Sequence, residues 1–142
     1  MSEERVKKVT AIVARQGRAG IELLVFDHPL EDSGIMIQLP AGTVEPDELP
    51  GEAVIRELLE ETGVHGQLVA LAGVRDEEWE GEERRRWVYL LRTSEELSDE
   101  WPSTCDCGVP TRCYWVSFEQ AEIVEPQQPW LAMARSWIRA SS

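Results

Sequence analysis

Apolar and polar residues alternate along much of the chain in patterns typical of strands and helices. Segments rich in valine, isoleucine and other apolar residues predict strands over residues 6–15, 21–27, 34–39, 64–74, 87–92 and 111–116. Apolar residues at helical spacing predict helices over 50–62 and 129–140, and a short helical turn is expected at 118–121. The segment 40–49, interrupted by Pro40, Gly42, Pro46 and Asp47, is predicted to be a loop, as are the charged segment 75–86 and the polar segment 94–110. This order predicts a mixed sheet with helices packed on its faces, an α/β fold.

The predicted helix at 50–62 has two unlike sides. Because each residue of a helix turns about 100°, its apolar residues form one stripe that can pack on a core: Val54, Ile55, Leu58 and Leu59. The other side gathers the carboxylates of Glu57, Glu60 and Glu61. Glu57 and Glu61 are four residues apart, and this like-charge spacing costs an isolated helix roughly 0.2–0.5 kcal/mol. We therefore expect a divalent cation to offset the charge.

Length and charge limit the kind of protein. With 142 residues, 42% of them apolar, the chain is long enough for one core, and we expect residues 1–142 to form a single domain. The formal net charge of −13 argues against nucleic acid as a partner, because binding a phosphate backbone needs a basic surface. A small phosphate substrate could still bind if metal ions screened the glutamates and a few arginines contacted it.

No segment indicates a membrane or secretory protein. No apolar run approaches the ~20 residues that a membrane span needs. The beginning of the chain, MSEERVKKVT, lacks the apolar core of a signal peptide. We therefore expect a cytoplasmic protein with no membrane partner.

The cysteines are odd in number and close together, at Cys105, Cys107 and Cys113. A disulfide framework is not expected from that number. A zinc site would need a fourth ligand, which neither His28 nor His65 supplies by sequence proximity. We expect reduced thiols in or beside a strand.

A run of defined residue types lies between Leu39 and Val64. Its fixed positions are Gly42, Glu48, Arg56, Glu57, an apolar Leu58, Glu60, Glu61, Gly63 and an apolar Val64. In this spacing the segment resembles the complete signature of the Nudix hydrolases, the MutT-like pyrophosphohydrolases. The resemblance implies an α/β/α sandwich with a mixed sheet, and an enzyme that acts on phosphoric anhydride bonds. The implied substrate is a nucleoside diphosphate linked to another group, such as a nucleoside triphosphate or a related small nucleotide.

The resemblance also implies roles for individual residues. The metal, Mg²⁺ or Mn²⁺, would have Glu57 and Glu61 as its principal ligands. Glu60 would be a further ligand or a base, and the backbone carbonyl of Ala41 an additional ligand. Such oxygen ligands suit Mg²⁺, which is a hard cation. Arg56 would support and orient the glutamates, which completes a catalytic set of Arg56, Glu57, Glu60 and Glu61.

Three of these positions leave alternatives open. Arg56 could instead be an ordinary flanking charge that pairs with Glu52 or Glu60. Glu48 ties the loop to the helix in the family's pattern, but a negative charge near a helix N-terminus is favourable in any case. Where the family often has a glycine, this chain has Ala41, so the backbone there must suit a residue other than glycine.

The general base stays open as well. Family members take it from the helix or from a downstream loop, and the candidates here are Glu60, Asp106, Glu82 and Glu83. Asp106 lies in the predicted loop before the strand at 111–116. The ordinary alternative for each is a solvated charge.

Residues that select the substrate are expected outside the signature. Arg84, Arg85 and Arg86 form the one concentrated basic run and could contact phosphates, or could pair with their acidic neighbours. Trp79 lies in the same charged segment, at a place where some family members have a residue that contacts the substrate. The predicted substrate-binding residues are therefore Trp79, Arg84 and Arg86. Family members that act on ADP-ribose resemble one another in having a proline in this neighbourhood. The segment from Arg75 to Arg86 contains no proline, which disfavours ADP-ribose as the substrate.

Two other functions remain open from the sequence. The first is a non-catalytic protein that binds a nucleotide or metabolite on the Nudix fold. The second is that the acidic side of the helix is only a solvated surface that binds no metal. A homodimer is also open as a partner.

Overall fold

The computed structural model describes residues 5–29, 34–105 and 107–141. The strands are β1 Val6–Gly17, β2 Gly20–Pro29, β3 Ile35–Gln38, β4 Ala41–Thr43, β5 Gln67–Trp79, β6 Glu82–Arg92, β7 Glu100–Thr104 and β8 Pro110–Ser117. The helices are α1 Pro50–Thr62 and α2 Gln128–Ser141, with a 3-10 turn at Glu125–Gln127 before α2. Among the helices of these ranges, none is long and apolar enough to cross a membrane.

The strands form one mixed sheet in the order β5-β6-β1-β2-β8-β7, with β3 beside β2 and β4 beside β1. The pairing of β1 with β6 is parallel, and the other pairings are antiparallel. Successive side chains of a strand point to opposite faces. Val9, Ala11 and Val13 therefore belong to the core under α1, while Ile12 belongs to the core under α2. One helix thus covers each face, as the predicted α/β/α layering requires.

The charged segment 75–86 is a hairpin, which corrects the prediction of a loop. Glu80 and Gly81 form its turn with φ of 50° and 85°, the positive values that a tight two-residue hairpin turn needs. Across the strands Arg85 donates to Asp76 at 2.7 Å. Such pairs of opposite charge stabilise neighbouring strands. The segment lacks the alternation of apolar and polar residues that is typical of a strand, because charge pairs link the exposed ends of β5 and β6.

Two short strands lie in segments that the sequence predicts as loops. β4 pairs with β1, with Gly42 opposite Val9, and brings residues 40–49, the signature loop, to the middle of the sheet. β7 pairs with β8 and holds the end of α1, because Trp101 Nε1 donates to the carbonyl of Thr62 at 2.7 Å. The helical turn predicted at 118–121 is a simple turn, and the helical residues lie later, at Glu125–Gln127.

Candidate active site

The helix that carries the glutamates has the predicted bounds and is held by its apolar side. Ala53, Val54 and Leu58 are fully buried in the core under α1. Pro50 stands at the start of the helix, and Gly63 ends it in the left-handed conformation, with φ of 77°. This packing fixes the rotation of α1 and therefore the direction of its acidic side.

The three carboxylates are held in different surroundings. Glu57 is buried, with 6% of its surface exposed. The side chain of Glu60 is 42% exposed. Glu61 is partly buried, and its Oε1 accepts a hydrogen bond from the backbone N–H of Ala41 at 2.8 Å. Glu57 and Glu61 of the acidic side of α1 are therefore packed against neighbouring groups, whereas Glu60 is open to solvent.

Arg56 contacts several carboxylates at once. Its Nη1 donates to Glu57 Oε1 at 2.8 Å and to Glu60 Oε1 at 3.1 Å. Its Nε and Nη2 donate to the two oxygens of Glu48, and Nη2 also donates to the carbonyl of Thr43. The sequence leaves open whether Arg56 pairs with Glu60, and the structure contains that pair. Arg56 also contacts Glu57, a partner that the sequence spacing does not indicate.

These contacts fix the ionisation of the pair that joins loop and helix. Hydrogen bonding from Arg56 lowers the pKa of Glu48 from 4.5 to about 2. The same bonds raise the pKa of Arg56 above its usual value. Glu45 accepts no such bond at short range, lying 3.7 Å from Arg56, and its N–H instead donates to Glu48. Glu48 therefore ties the loop to α1 as an anion at neutral pH.

Gly42 allows the loop backbone to approach Glu57 closely. A Cβ built on Gly42 would lie 2.0 Å from the carboxyl carbon of Glu57 and 2.3 Å from Oε2. The neighbouring Ala41 needs no glycine, since among the described non-glycine residues only Glu80 has a positive φ. The glycine is thus required where the carboxylate packs, and the alanine is accommodated beside it.

The oxygen donors on this side of α1 and in the facing loop are of the kind that a hard divalent cation prefers. Glu57, Glu60 and Glu61 offer carboxylate oxygens, and Ala41 lies next to Glu61 with its backbone carbonyl as a further oxygen donor. The cavity between the loop and α1 is lined by Glu57, Glu60, Arg56 and residues 41–46, and none of these described residues carries sulfur or imidazole. An all-oxygen set of this kind suits Mg²⁺ or Mn²⁺ rather than a softer metal.

Lys8 is a site residue that sequence reasoning missed. It lies on β1, paired with Arg86 on one side and with Thr43 on the other, and its Nζ donates to Thr43 Oγ1 at 2.7 Å. Burial and the nearby cations Arg84 and Arg86 lower its pKa, while Glu57 acts in the opposite direction. Lys8 therefore lies between the carboxylates and the basic residues of β6. A single lysine in a predicted strand gives no indication in the sequence that it lies at the site.

A groove that Arg86, the cross-strand neighbour of Lys8, helps to line lies between the β5–β6 hairpin and the start of α2. Its volume is about 450 Å³, and its lining includes Met36, Gln38, Arg75, Trp79, Arg84 and Trp130. Trp79 is 47% exposed, at the end of β5. Arg84 donates to Glu82 at 2.7 Å. All three predicted substrate-binding residues, Trp79, Arg84 and Arg86, thus line the same groove.

Arg86 lies in the wall of this groove and is 3% exposed. Its Nε donates to Glu77 at 2.6 Å, its Nη1 donates to Thr10 Oγ1 at 3.0 Å, and its guanidinium lies 3.6 Å from the ring centre of Trp130. Burial lowers its pKa despite the bond to Glu77. Arg85 points to the other face, towards Asp76. The three arginines of the basic run therefore differ in position. Arg86 is buried in the groove wall, Arg84 is partly exposed in the groove, and Arg85 lies on the opposite face.

The candidates for the general base lie in different places. Glu60 is on α1 beside Arg56. Glu82 faces the groove side and accepts from Arg84, whereas Glu83 points to the other face, near Arg5. Asp106 lies outside the described residues.

The cysteines differ from the prediction. The structure joins Cys105 and Cys107 in a disulfide, where reduced thiols were expected. Cys113 in β8 is a buried free thiol, as predicted, and burial raises its pKa to about 12. His28 lies against the disulfide, although it is far away in the sequence.

Comparison with known proteins agrees with the site. The model of the NUDIX domain matches residues 5–137. Human diphosphoinositol polyphosphate phosphohydrolase 3-beta is 34% identical over 115 residues, which are 81% of this chain and 66% of that protein. Human diphosphoinositol polyphosphate phosphohydrolase 2 is 33% identical over 117 residues, which are 81% of this chain and 59% of that protein. The chain thus spans 59–66% of the length of these relatives.

Solved structures share the fold. A NUDIX hydrolase from Nitrosomonas europaea superposes with a TM-score of 0.72 at 22% identity, covering 97% of this chain and 90% of the other. A possible asymmetric diadenosine tetraphosphate hydrolase from Jonesia denitrificans gives a TM-score of 0.75 at 16% identity, covering 96% of each chain.

A mixed sheet between two helices, with a glutamate-rich helix beneath a glycine-containing loop, defines a Nudix-type hydrolase domain. The chain belongs to the Nudix family. The resemblance seen between Leu39 and Val64 is therefore confirmed, and so is the α/β fold. The predicted class of enzyme, a hydrolase that acts on phosphoric anhydride bonds, is confirmed at the level of the family.

Proposed function

We propose that this chain is a Mg²⁺-dependent pyrophosphohydrolase that cleaves a diphosphate bond in a small nucleotide. The observation that carries the proposal is the convergence of Glu57, Glu60 and Glu61 with the loop backbone and one arginine at the same end of α1. A helix with only a solvated acidic surface would need neither a glutamate that is 6% exposed nor a glycine beside it that leaves room for the carboxylate. The convergence supports a metal centre.

Each residue of the centre has its own task in this proposal. Glu57, Glu61 and the carbonyl of Ala41 would hold the cation, which would supply Lewis-acid activation of the phosphoryl group. Arg56 keeps the carboxylates in position. Glu60, the exposed carboxylate beside Arg56, accepts the proton of the attacking water.

Lys8 and the groove bind the rest of the substrate. The ammonium of Lys8, whose pKa responds to the charges of both Arg84 and Glu57, contacts the phosphate chain. Trp79 offers an exposed ring on which a nucleobase can stack. A phosphate chain that runs from Arg84 past Lys8 to the glutamates would reach the metal with its base at the groove. This route supports a nucleotide rather than a substrate without an aromatic group.

A diphosphoinositol polyphosphate is the second candidate, and the names of the two human relatives favour it. An inositol ring that carries many phosphates would need many cations around it. The described residues of the groove offer Arg75 and Arg84, with Lys8 nearby, while Arg86 is buried against Glu77 and Trp130. The formal charge of −13 disfavours such a substrate further.

The test is a hydrolysis panel with Mg²⁺ or Mn²⁺. The panel contains nucleoside triphosphates, oxidised nucleoside triphosphates, nucleotide sugars, ADP-ribose, dinucleoside polyphosphates and a diphosphoinositol polyphosphate, and the products identify the cleaved bond. We expect a nucleotide to be the best substrate and Trp79→Ala to raise its KM. Turnover of the inositol compound alone, unaffected by Trp79→Ala, would favour the second candidate. Binding of nucleotides without turnover of any compound would indicate a non-catalytic binding protein.

A further inference from the structure

A histidine and two cysteines meet at the tip of the β7–β8 hairpin. Cys105 and Cys107 lie in the turn between these strands, and His28 lies near the end of β2. The Nε2 atom of His28 is 3.3 Å from the sulfur of Cys107 and 3.6 Å from that of Cys105. Ligand atoms of all three residues lie within 4.8 Å of one another. His28 and Cys105 are partly buried and Cys107 is exposed, so an ion can reach them from solvent.

The nitrogen–sulfur separations are those of a tetrahedral zinc site. Zn²⁺ binds thiolate at about 2.3 Å and imidazole at about 2.0–2.1 Å, which places a ligand nitrogen about 3.6 Å from a ligand sulfur. In the disulfide form the separations are already 3.3 and 3.6 Å, so after reduction the sulfurs must move apart but His28 can stay in place. Two thiolates and one imidazole also form a donor set that selects Zn²⁺ over Mg²⁺.

The surroundings orient the three groups for metal binding. A backbone carbonyl can only accept a hydrogen bond, so the 2.9 Å contact with the carbonyl of Pro29 puts the proton of His28 on Nδ1. This leaves the lone pair of Nε2 directed at the sulfurs, the arrangement usual for a metal-binding histidine. The N–H of Cys107 donates to the sulfur of Cys105 at 3.2 Å, which favours a thiolate. Gly108, with φ of 83°, closes the turn by donating to the carbonyl of Cys105.

We propose that His28, Cys105 and Cys107 bind Zn²⁺ when the disulfide between the cysteines is reduced. A dithiol reductant transfers two electrons and two protons to the disulfide, which gives two thiols and an oxidised dithiol. Binding of Zn²⁺ then displaces the two thiol protons, and a water fills the fourth position. Disulfide and metal exclude each other, because the sulfurs of a tetrahedral site lie about 3.8 Å apart.

The site would fasten the hairpin tip to β2, close to the strand that holds the end of α1. Ser103, two residues before Cys105, donates its hydroxyl to the carbonyl of Glu61 at 2.7 Å. The proposed ion is nonetheless distinct from the oxygen-ligated metal of the active site, since the two sites share no residue. Its presence can therefore be measured without any assay of hydrolysis.

The test is titration of the full chain with Co²⁺, after reduction by a phosphine and removal of metal. Thiolate-bound Co²⁺ has a charge-transfer absorption that carboxylate ligands do not produce, so the glutamates of α1 do not contribute. We expect one Co²⁺ per chain with this absorption, its displacement by Zn²⁺, and no absorption in the oxidised protein. Lack of the absorption in the reduced protein would overturn the proposal.

The chain provides matched controls for each ligand type. His28→Asn and Cys107→Ser should weaken Zn²⁺ binding at least tenfold, whereas His65→Asn and Cys113→Ala should leave it unchanged. Circular dichroism of each variant verifies the fold, and alkylation of the reduced thiols gives a second measurement, since Zn²⁺ should protect Cys105 and Cys107. Equal affinity of the His28→Asn and His65→Asn variants would show that His28 is not a ligand and would also overturn the proposal.

Discussion

Arg56 and Glu48 are joined by two hydrogen bonds, from Nε to Oε2 at 2.7 Å and from Nη2 to Oε1 at 2.9 Å. Paired bonds between a guanidinium and a carboxylate are among the strongest side-chain contacts because both groups are charged and planar. Glu48 lies in the signature loop and Arg56 in α1, so this pair fixes the loop against the helix. The remaining Nη1 then reaches Glu57 and Glu60. The arrangement of the carboxylates thus depends on a contact made outside the acidic side of the helix.

Replacing Arg56 by lysine keeps the positive charge but removes the planar guanidinium that bonds both oxygens of Glu48. A lysine cannot bond both oxygens of Glu48 and reach Glu57 as well. We expect Arg56→Lys to lower the free energy of unfolding by about 1.5–3 kcal/mol, the value of hydrogen bonds to charged groups, and to lower kcat. Urea unfolding measures the first effect. Arg139→Lys, at an exposed pair with Glu119, is the control, and equal stability of the two variants would contradict the account.

The bond to Arg56 also makes stability depend on pH through Glu48. Its pKa is about 2 in the folded chain and near 4.5 without partners. A lowered folded pKa stabilises the fold above the unfolded pKa, and this stabilisation is lost as pH falls from about 4.5 to about 2. We expect the difference in unfolding free energy between the natural chain and Glu48→Gln to be constant above that window and to shrink within it. Glu45→Gln, at a 66% exposed side chain, should show no such trend, and a difference for Glu48→Gln that is unchanged at low pH would refute the role of this pair.

Gly42→Ala should disturb the metal centre directly. The added Cβ would lie 2.0 Å from the carboxyl carbon of Glu57, so the carboxylate must move. We expect a fall in kcat of about tenfold or more, with a higher Mg²⁺ concentration needed for half-maximal rate. The control is Gly51→Ala at the start of α1, where the nearest atom is a flexible methyl of Leu68 at 2.9 Å. If both variants keep full activity and the same Mg²⁺ dependence, close approach of the loop to Glu57 is not required.

Lys8→Met should weaken substrate binding while the fold persists. Methionine retains most of the apolar stem and loses the ammonium near Arg84 and Glu57. We expect kcat/KM to fall about tenfold, equivalent to about 1.4 kcal/mol, mainly through KM. The neighbouring Lys7 is exposed and points to the other face, so Lys7→Met is the matched control. A fall of the same size in both variants would indicate a general effect of charge rather than a phosphate contact.

The sequence predicts best where side chains of one element act together. The stripe of Val54 and Leu58 and the end at Gly63 predict α1 correctly, because helix packing and termination are local properties. The family is indicated by the resemblance of the segment from Leu39 to Val64 to the Nudix signature, which is likewise contained in one stretch of sequence. The pairing of Arg56 with Glu57, by contrast, depends on a rotamer that Glu48 helps to fix from the loop.

The sequence predicts less where distant segments meet. Lys8 joins the site only because β1 lies between β4 and β6. His28 reaches Cys105 and Cys107 only because β2 pairs with β8. The hairpin strands at 75–86 have no apolar alternation, since ion pairs such as Arg85 with Asp76 link them. The single domain, the homodimer and the cytoplasmic location stay predictions.

Glu61→Gln tests the metal-dependent activity most directly. Glutamine keeps the oxygen that accepts the N–H of Ala41 and removes the negative charge, so the fold should persist while the metal loses a ligand. Glu52→Gln is the matched control, because Glu52 Oε1 accepts the N–H of Leu49 in the same way at the other end of α1. The measurement is the rate of hydrolysis of the best nucleotide at saturating Mg²⁺. We expect turnover to be abolished in Glu61→Gln and unchanged in Glu52→Gln, whereas undiminished turnover in Glu61→Gln would contradict the proposed function.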